Sequence, residues 1–86
     1  MPLSVDDKQF LFDFYDQFGK IPNRWWSYYE VADALGMTWD NTLAIIHRLT
    51  TFGYVKYEYM RTFTPTLSGL RWYKRELRKK QKSTLP

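Results

Sequence analysis

The 86-residue sequence predicts a mainly α-helical α+β chain with a small antiparallel sheet of two or three strands, folded as a single domain. Three observations predict it. Apolar residues recur at i, i+3, i+4 and i+7 in several stretches, the spacing of amphipathic helices. Between residues 54 and 60 the period drops to two, the spacing of a strand. Cap residues and glycines punctuate these runs at helix-sized intervals.

Ser4 is the expected N-cap of the first helix, and Asp7 completes a capping-box-like pair. Residues 5–18 follow, with Leu11, Phe14, Tyr15 and Phe18 on one stripe that Phe10 and Phe12 widen. Gly19 and then Pro22 end it. Residues 19–26 connect, and Trp25-Trp26 either closes the edge of a small core or forms an exposed binding surface. Ser27 and Glu30 have capping-box spacing and open a short helix with Val31, Ala32 and Leu35 on one side. Gly36 stops it. Thr38 caps the next helix, residues 38–52, and Asp40 sits in its first turn, where the helix dipole favours negative charge. Thr42, Ile45, Ile46 and Leu49 point inward, and Gly53 is the stop.

Along the strand, Val55, Tyr57 and Tyr59 face one way and Lys56 and Glu58 the other. Arg61-Thr62 makes the turn. Residues 63–66 form a second short strand, which Pro65 assigns to a sheet edge. Thr66 or Ser68 caps a last helix over residues 70–80, with Leu70, Tyr73 and Leu77 on one face. The expected ordered core is residues 4–80, with 81–86 a frayed tail.

Composition excludes several classes. Aromatics reach 20%, far too many for a disordered tail. No cysteine is present, so there is no disulfide framework and no thiolate site. A single histidine, His47, does not make a zinc site. No Gly-rich phosphate loop or Ser-His-Asp spacing occurs, and Asp6, Asp7, Asp13 and Asp16 read as helix-surface charges. The expectation is a non-catalytic chain with no cofactor and no metal. It has no 18-residue apolar run and no signal-peptide start, which points to the cytoplasm and away from a membrane. Charge is lopsided: residues 1–60 carry −3 and residues 61–86 carry +7. A basic C-terminal third on a slightly acidic body suits a polyanion, or simply keeps a helix solvated.

The middle of the chain carries the most specific signal. Val31-Ala32-Asp33-Ala34-Leu35-Gly36-Met37-Thr38 reads as the second helix and turn of a helix-turn-helix. Ile45, Leu49, Gly53, Tyr54 and Val55 then match the helix-into-strand ending common in winged-helix proteins, and Thr64-Pro65-Thr66-Leu67-Ser68-Gly69 resembles the end of a wing leading into a final helix. The chain thus resembles the winged helix-turn-helix superfamily from about residue 6 to 80, in the manner of small regulators of bacteria, archaea, plasmids and phages. The resemblance also implies that a third strand, where present, is the stretch near residues 25–27 pairing with the wing, and one departure is a wing with almost no tip.

That resemblance implies a sequence-specific double-stranded DNA-binding regulator of transcription, with helix 38–52 in the major groove. The implied contacts on that helix are Thr38, Trp39, Asn41, Thr42, Ala44, His47 and Arg48. Arg61 at the wing and Arg71, Lys74, Arg75 and Arg78 on the last helix would hold phosphates. A homodimer would double a small footprint, with Leu70, Tyr73 and Leu77 or the aromatic first helix as its seam. The helix itself is a poor basic surface, with one Arg and one Asp. A second reading is therefore a winged-helix module that binds a protein partner through Trp39, Leu43, Trp25 and Trp26. A third is single-strand binding through Tyr57 and Tyr59.

Overall fold

A computed structural model describes residues 3–21, 24–58 and 61–84. Seven elements follow in order: α1 (Val5–Gln17), β1 (Trp26–Ser27), α2 (Tyr28–Ala34), α3 (Trp39–Thr51), β2 (Val55–Glu58), β3 (Thr62–Pro65) and α4 (Leu67–Thr84). The result is an α+β chain with a three-stranded antiparallel sheet in the order β1-β3-β2.

Local chemistry sets the helix ends. The Ser4 hydroxyl accepts from the Asp7 N–H at 3.1 Å while the Asp7 carboxylate accepts from the Ser4 N–H, so the capping box forms. At α2 the Ser27 hydroxyl accepts from Tyr29 N–H instead, one residue short of the Glu30 pairing that the spacing suggests. Thr38 caps α3 by accepting from Asn41 N–H at 3.3 Å. Gly36 and Gly53 end α2 and α3 at φ 69° and 78°, where a side chain would be strained.

The two strands of the hairpin are present, and the third strand expected near residues 25–27 forms as β1. Trp26 pairs with Phe63 and Ser27 with Thr62. Tyr57 pairs with Phe63 on the other side, and Val55 with Pro65. So β3 is the central strand, not the edge that Pro65 suggested. β1 is only two residues long and stops before Pro65, so the missing N–H of the proline is not needed there. Two boundaries also move. Thr66 is the α4 cap, accepting from Gly69 N–H at 3.1 Å, so α4 begins at Leu67. Its backbone runs on through residues 81–84 rather than fraying at Lys80.

The core is aromatic. α1 contributes Phe10, Leu11, Phe14 and Tyr15, and α3 contributes Ile45, Ile46 and Leu49. Phe14 lies 4.8 Å from Phe63, centroid to centroid. Trp26 is 8% exposed, joins the core and is capped by the Arg24 guanidinium 4.1 Å from its ring. The fully buried Tyr15 hydroxyl donates to the Tyr54 carbonyl at 2.7 Å and accepts from Thr66 N–H at 3.0 Å. The Tyr73 hydroxyl donates to Asp16 at 2.7 Å, tying α4 to α1, and its pKa is pushed up to about 12 by burial and by that carboxylate.

Thr42 is fully buried, and its hydroxyl finds no partner among the described residues. An unpaired buried hydroxyl costs about 1–3 kcal/mol. Thr42→Val should therefore stabilise the protein by about 1 kcal/mol, raising Tm by roughly 4–8 °C in a domain of this size. A thermal melt that falls instead would mean the hydroxyl is bonded.

Candidate nucleic-acid interface

α2, its turn and α3 pack as a unit, with Met37 N–H donating to the Ala32 carbonyl at 2.9 Å across the turn. Ile45, Ile46 and Leu49 face the core, and Trp39, Asn41, Ala44 and His47 are exposed. Leu43 between them is half-buried. The Asn41 carboxamide makes no hydrogen bond among the described residues. The ring of His47 leans on that of Tyr57, 5.0 Å away.

An aromatic line joins this face to the hairpin. Trp39 is 50% exposed and meets Tyr29 edge-on at 4.3 Å, and its indole N–H donates to Asp33 at 3.0 Å. Beyond Tyr29 lies Arg61, its guanidinium 5.4 Å from the ring. Arg61 has φ 65°, unusual for a residue with a side chain, and its carbonyl accepts from Tyr28 N–H at 3.0 Å. Trp39, Tyr29 and Arg61 are thus linked along one flank of α3, whereas Asn41 and Ala44 lie on the flank that faces the α1 groove.

Two expected members of the site do not join it. Thr42 is inside the core because it follows the inward period of α3. Arg48 is held by a two-pronged ion pair with Asp7, Nη2 to Oδ1 at 2.7 Å and Nε to Oδ2 at 3.0 Å. The Asp7 side chain is 4% exposed and that of Arg48 53%. The Arg48 hydrogen bonds lower the Asp7 pKa, opposing its burial, and Asp7 raises that of Arg48. Arg48 also lines a groove of about 430 Å³ between α1 and α3, with Asp6, Phe10 and Asp13 from α1 and Asn41 and Ala44 from α3.

Arg71, Lys74, Arg75 and Arg78 are all exposed on α4. They do not reach the α3 face: α1 packs against both helices and stands between them. Of the alternative aromatic surfaces, Trp26 is excluded by burial, while Trp25 is 42% exposed on the connector. Tyr57 is half-buried, and Tyr59 lies outside the described residues.

Sequence reasoning missed Tyr29, Asp33 and the Asp7–Arg48 pair. Tyr29 had a visible signal, an aromatic at the start of a short helix two residues past a cap, but it was absorbed into the Ser27–Glu30 box.

No helix of the described residues is long and apolar enough to cross a membrane. No protein-family model, curated protein or solved structure matches the chain.

Proposed function

We propose that the chain is a winged-helix domain that binds double-stranded DNA in a sequence-selective way, as a transcriptional regulator, with α3 in the major groove. The observation that carries this reading is the exposed i, i+3, i+6 row Asn41, Ala44 and His47 along α3, together with the hairpin arginine Arg61 over the Tyr29 ring of α2. The helix–turn–helix followed by a hairpin, with β1 added beside β3, is the arrangement that the family resemblance implies, and supports it further.

The chemistry of the row also names its bases. Asn pairs bidentately with adenine N6 and N7, and small apolar side chains such as Ala44 meet the thymine methyl. Guanine is read chiefly by Arg or Lys, and the α3 arginine is engaged by Asp7. Selection from random duplexes should therefore enrich A·T-rich sites. Asn41→Ala should weaken binding to the selected site by about tenfold, within the 1–3 kcal/mol of a bidentate base contact. With Arg61 as the main phosphate anchor, the salt slope at this site should be shallow, about −1 to −2. Binding with no enriched sequence and no response to Asn41→Ala would sink the reading.

A second reading is favoured by one observation: Trp39 is half-exposed and braced by Tyr29 and Asp33, as an interface anchor is. A protein partner predicts capture that is insensitive to salt, lost with Trp39→Ala and indifferent to Asn41→Ala.

A further inference from the structure

The strongest positive surface of the molecule is not on α3. Arg71, Lys74, Arg75 and Arg78 fall at i, i+3, i+4 and i+7 of α4, one straight stripe. All four are exposed, and none of the four side chains is engaged by an ion pair or hydrogen bond among the described residues. The neighbouring carboxylate, Glu76, is occupied by Lys79 at 2.9 Å. At 1.5 Å per residue the stripe spans about 10 Å. Duplex DNA presents one phosphate per 1.7 Å of axis, so that length faces about six phosphates, counting both strands.

Position separates the stripe from the α3 face. On α1, Asp7 and Phe10 face α3, through the Arg48 pair and the groove. Phe12 and Tyr15 face α4, where both contact the Tyr73 ring, at 5.1 and 6.1 Å. Phe10 and Phe12 lie about 160° apart around a helix of 3.6 residues per turn. The packed side of α4 is Trp72 and Tyr73, so its basic stripe is turned away from α1. The two surfaces thus lie on helices that pack against opposite flanks of α1.

We infer that α4 is a second, sequence-independent duplex site, and that one molecule holds two DNA segments at once, α3 selecting one and the α4 stripe gripping the backbone of the other. This inference rests on the reading of α3 as a duplex-binding helix. A membrane surface fits the stripe less well. An interfacial helix inserts an apolar face, and Trp72 and Tyr73 of α4 are buried in the core.

The test is a bridging assay on the full chain. A selected duplex is fixed to beads, protein is added, and capture of a second, fluorescent duplex of unrelated sequence is measured. Capture is expected at about 50 mM salt and should fall roughly 100-fold by about 200 mM, the response of some four neutralised phosphates. Retention of protein on the fixed duplex should fall about tenfold or less over the same range. The variant Arg71→Gln/Lys74→Gln/Arg75→Gln/Arg78→Gln should lose capture and the steep salt response while still selecting the same sequence.

If that variant captures the second duplex as well as the parent, bridging comes from association of two α3 faces and the inference is overturned. If the parent selects a sequence but captures no second duplex, the inference fails and the α3 reading stands. If the variant loses all DNA binding and Asn41→Ala changes nothing, the stripe is the sole site and both fail. Tighter retention on vesicles containing phosphatidylserine than on duplex would assign the stripe to a membrane and overturn it as well.

Discussion

Gly69→Ala should destabilise the protein by about 3 kcal/mol or prevent its folding, although Gly69 lies in a helix. Glycine-to-alanine in a helix ordinarily stabilises by about 1 kcal/mol, so the expected sign is reversed. The cause is space. Gly69 is buried in the first turn of α4, and a Cβ there would overlap the Tyr15 hydroxyl and the Tyr54 carbonyl. Displacing that hydroxyl leaves the Tyr54 carbonyl and Thr66 N–H unpaired in the core, about 1–3 kcal/mol each, and overpacking adds a similar amount. Part of the loss is recoverable as the overlap relaxes, which sets the figure near 3. Urea denaturation gives the value directly. A double-mutant cycle with Tyr15→Phe checks the mechanism, because part of the penalty should vanish once the hydroxyl is gone. A Gly69→Ala protein as stable as the parent would remove the close approach from the account.

Arg48→Ala should cost about 2 kcal/mol of stability at neutral pH and, on the proposed reading of α3 as a duplex-binding helix, leave the sequence selected by the folded protein unchanged. Deleting one partner of a buried pair costs about 3–5 kcal/mol because a charge is left buried and unpaired. The half-exposed Arg48 lets water reach the pair, so the lower figure applies here. The pH dependence has a definite sign. The folded-state pKa of Asp7 is lowered by Arg48, so the pair stabilises the parent above the ordinary carboxylate value. That stability is lost as pH falls below about 4, through the depressed folded value. In Arg48→Ala only the Ser4 hydrogen bonds still oppose the burial of Asp7, so its pKa rises from the parent's and the variant should close on the parent in stability as pH falls through about 4. Denaturation curves at neutral and mildly acidic pH decide it. A variant of unchanged stability that no longer binds its duplex would return Arg48 to the DNA surface.

The helices were legible because their signals are local. Ser4, Ser27 and Thr38 cap, and Gly36 and Gly53 stop, through contacts within a few residues, and the apolar period set the inward face of α3. Thr42 shows the conflict that a sequence leaves open. The period put it inside while its hydroxyl suggested a contact, and the period decided. What could not be read is contact between distant segments. Asp7 and Arg48 are 41 residues apart, and nothing near Arg48 marks it as engaged. The third strand near residues 25–27 was legible only through the family resemblance, while the period and Pro65 left open which hairpin strand it would join, and β3 became the central one. Of the candidate site, the exposed face of α3 and Arg61 were legible from spacing. The bracing of Trp39 by Tyr29 was not, because it joins α2 to α3 across the turn.

The Tyr15 hydroxyl joins points 39 and 51 residues further along the chain. It sits where the end of α3 passes into β2 and where β3 passes into α4, so both joints close only on α1. Neither the first half of the sequence nor the second contains both sides of that junction. The protein should consequently unfold as one cooperative unit, and a fragment that stops before α4 or begins after α1 should lose the native core.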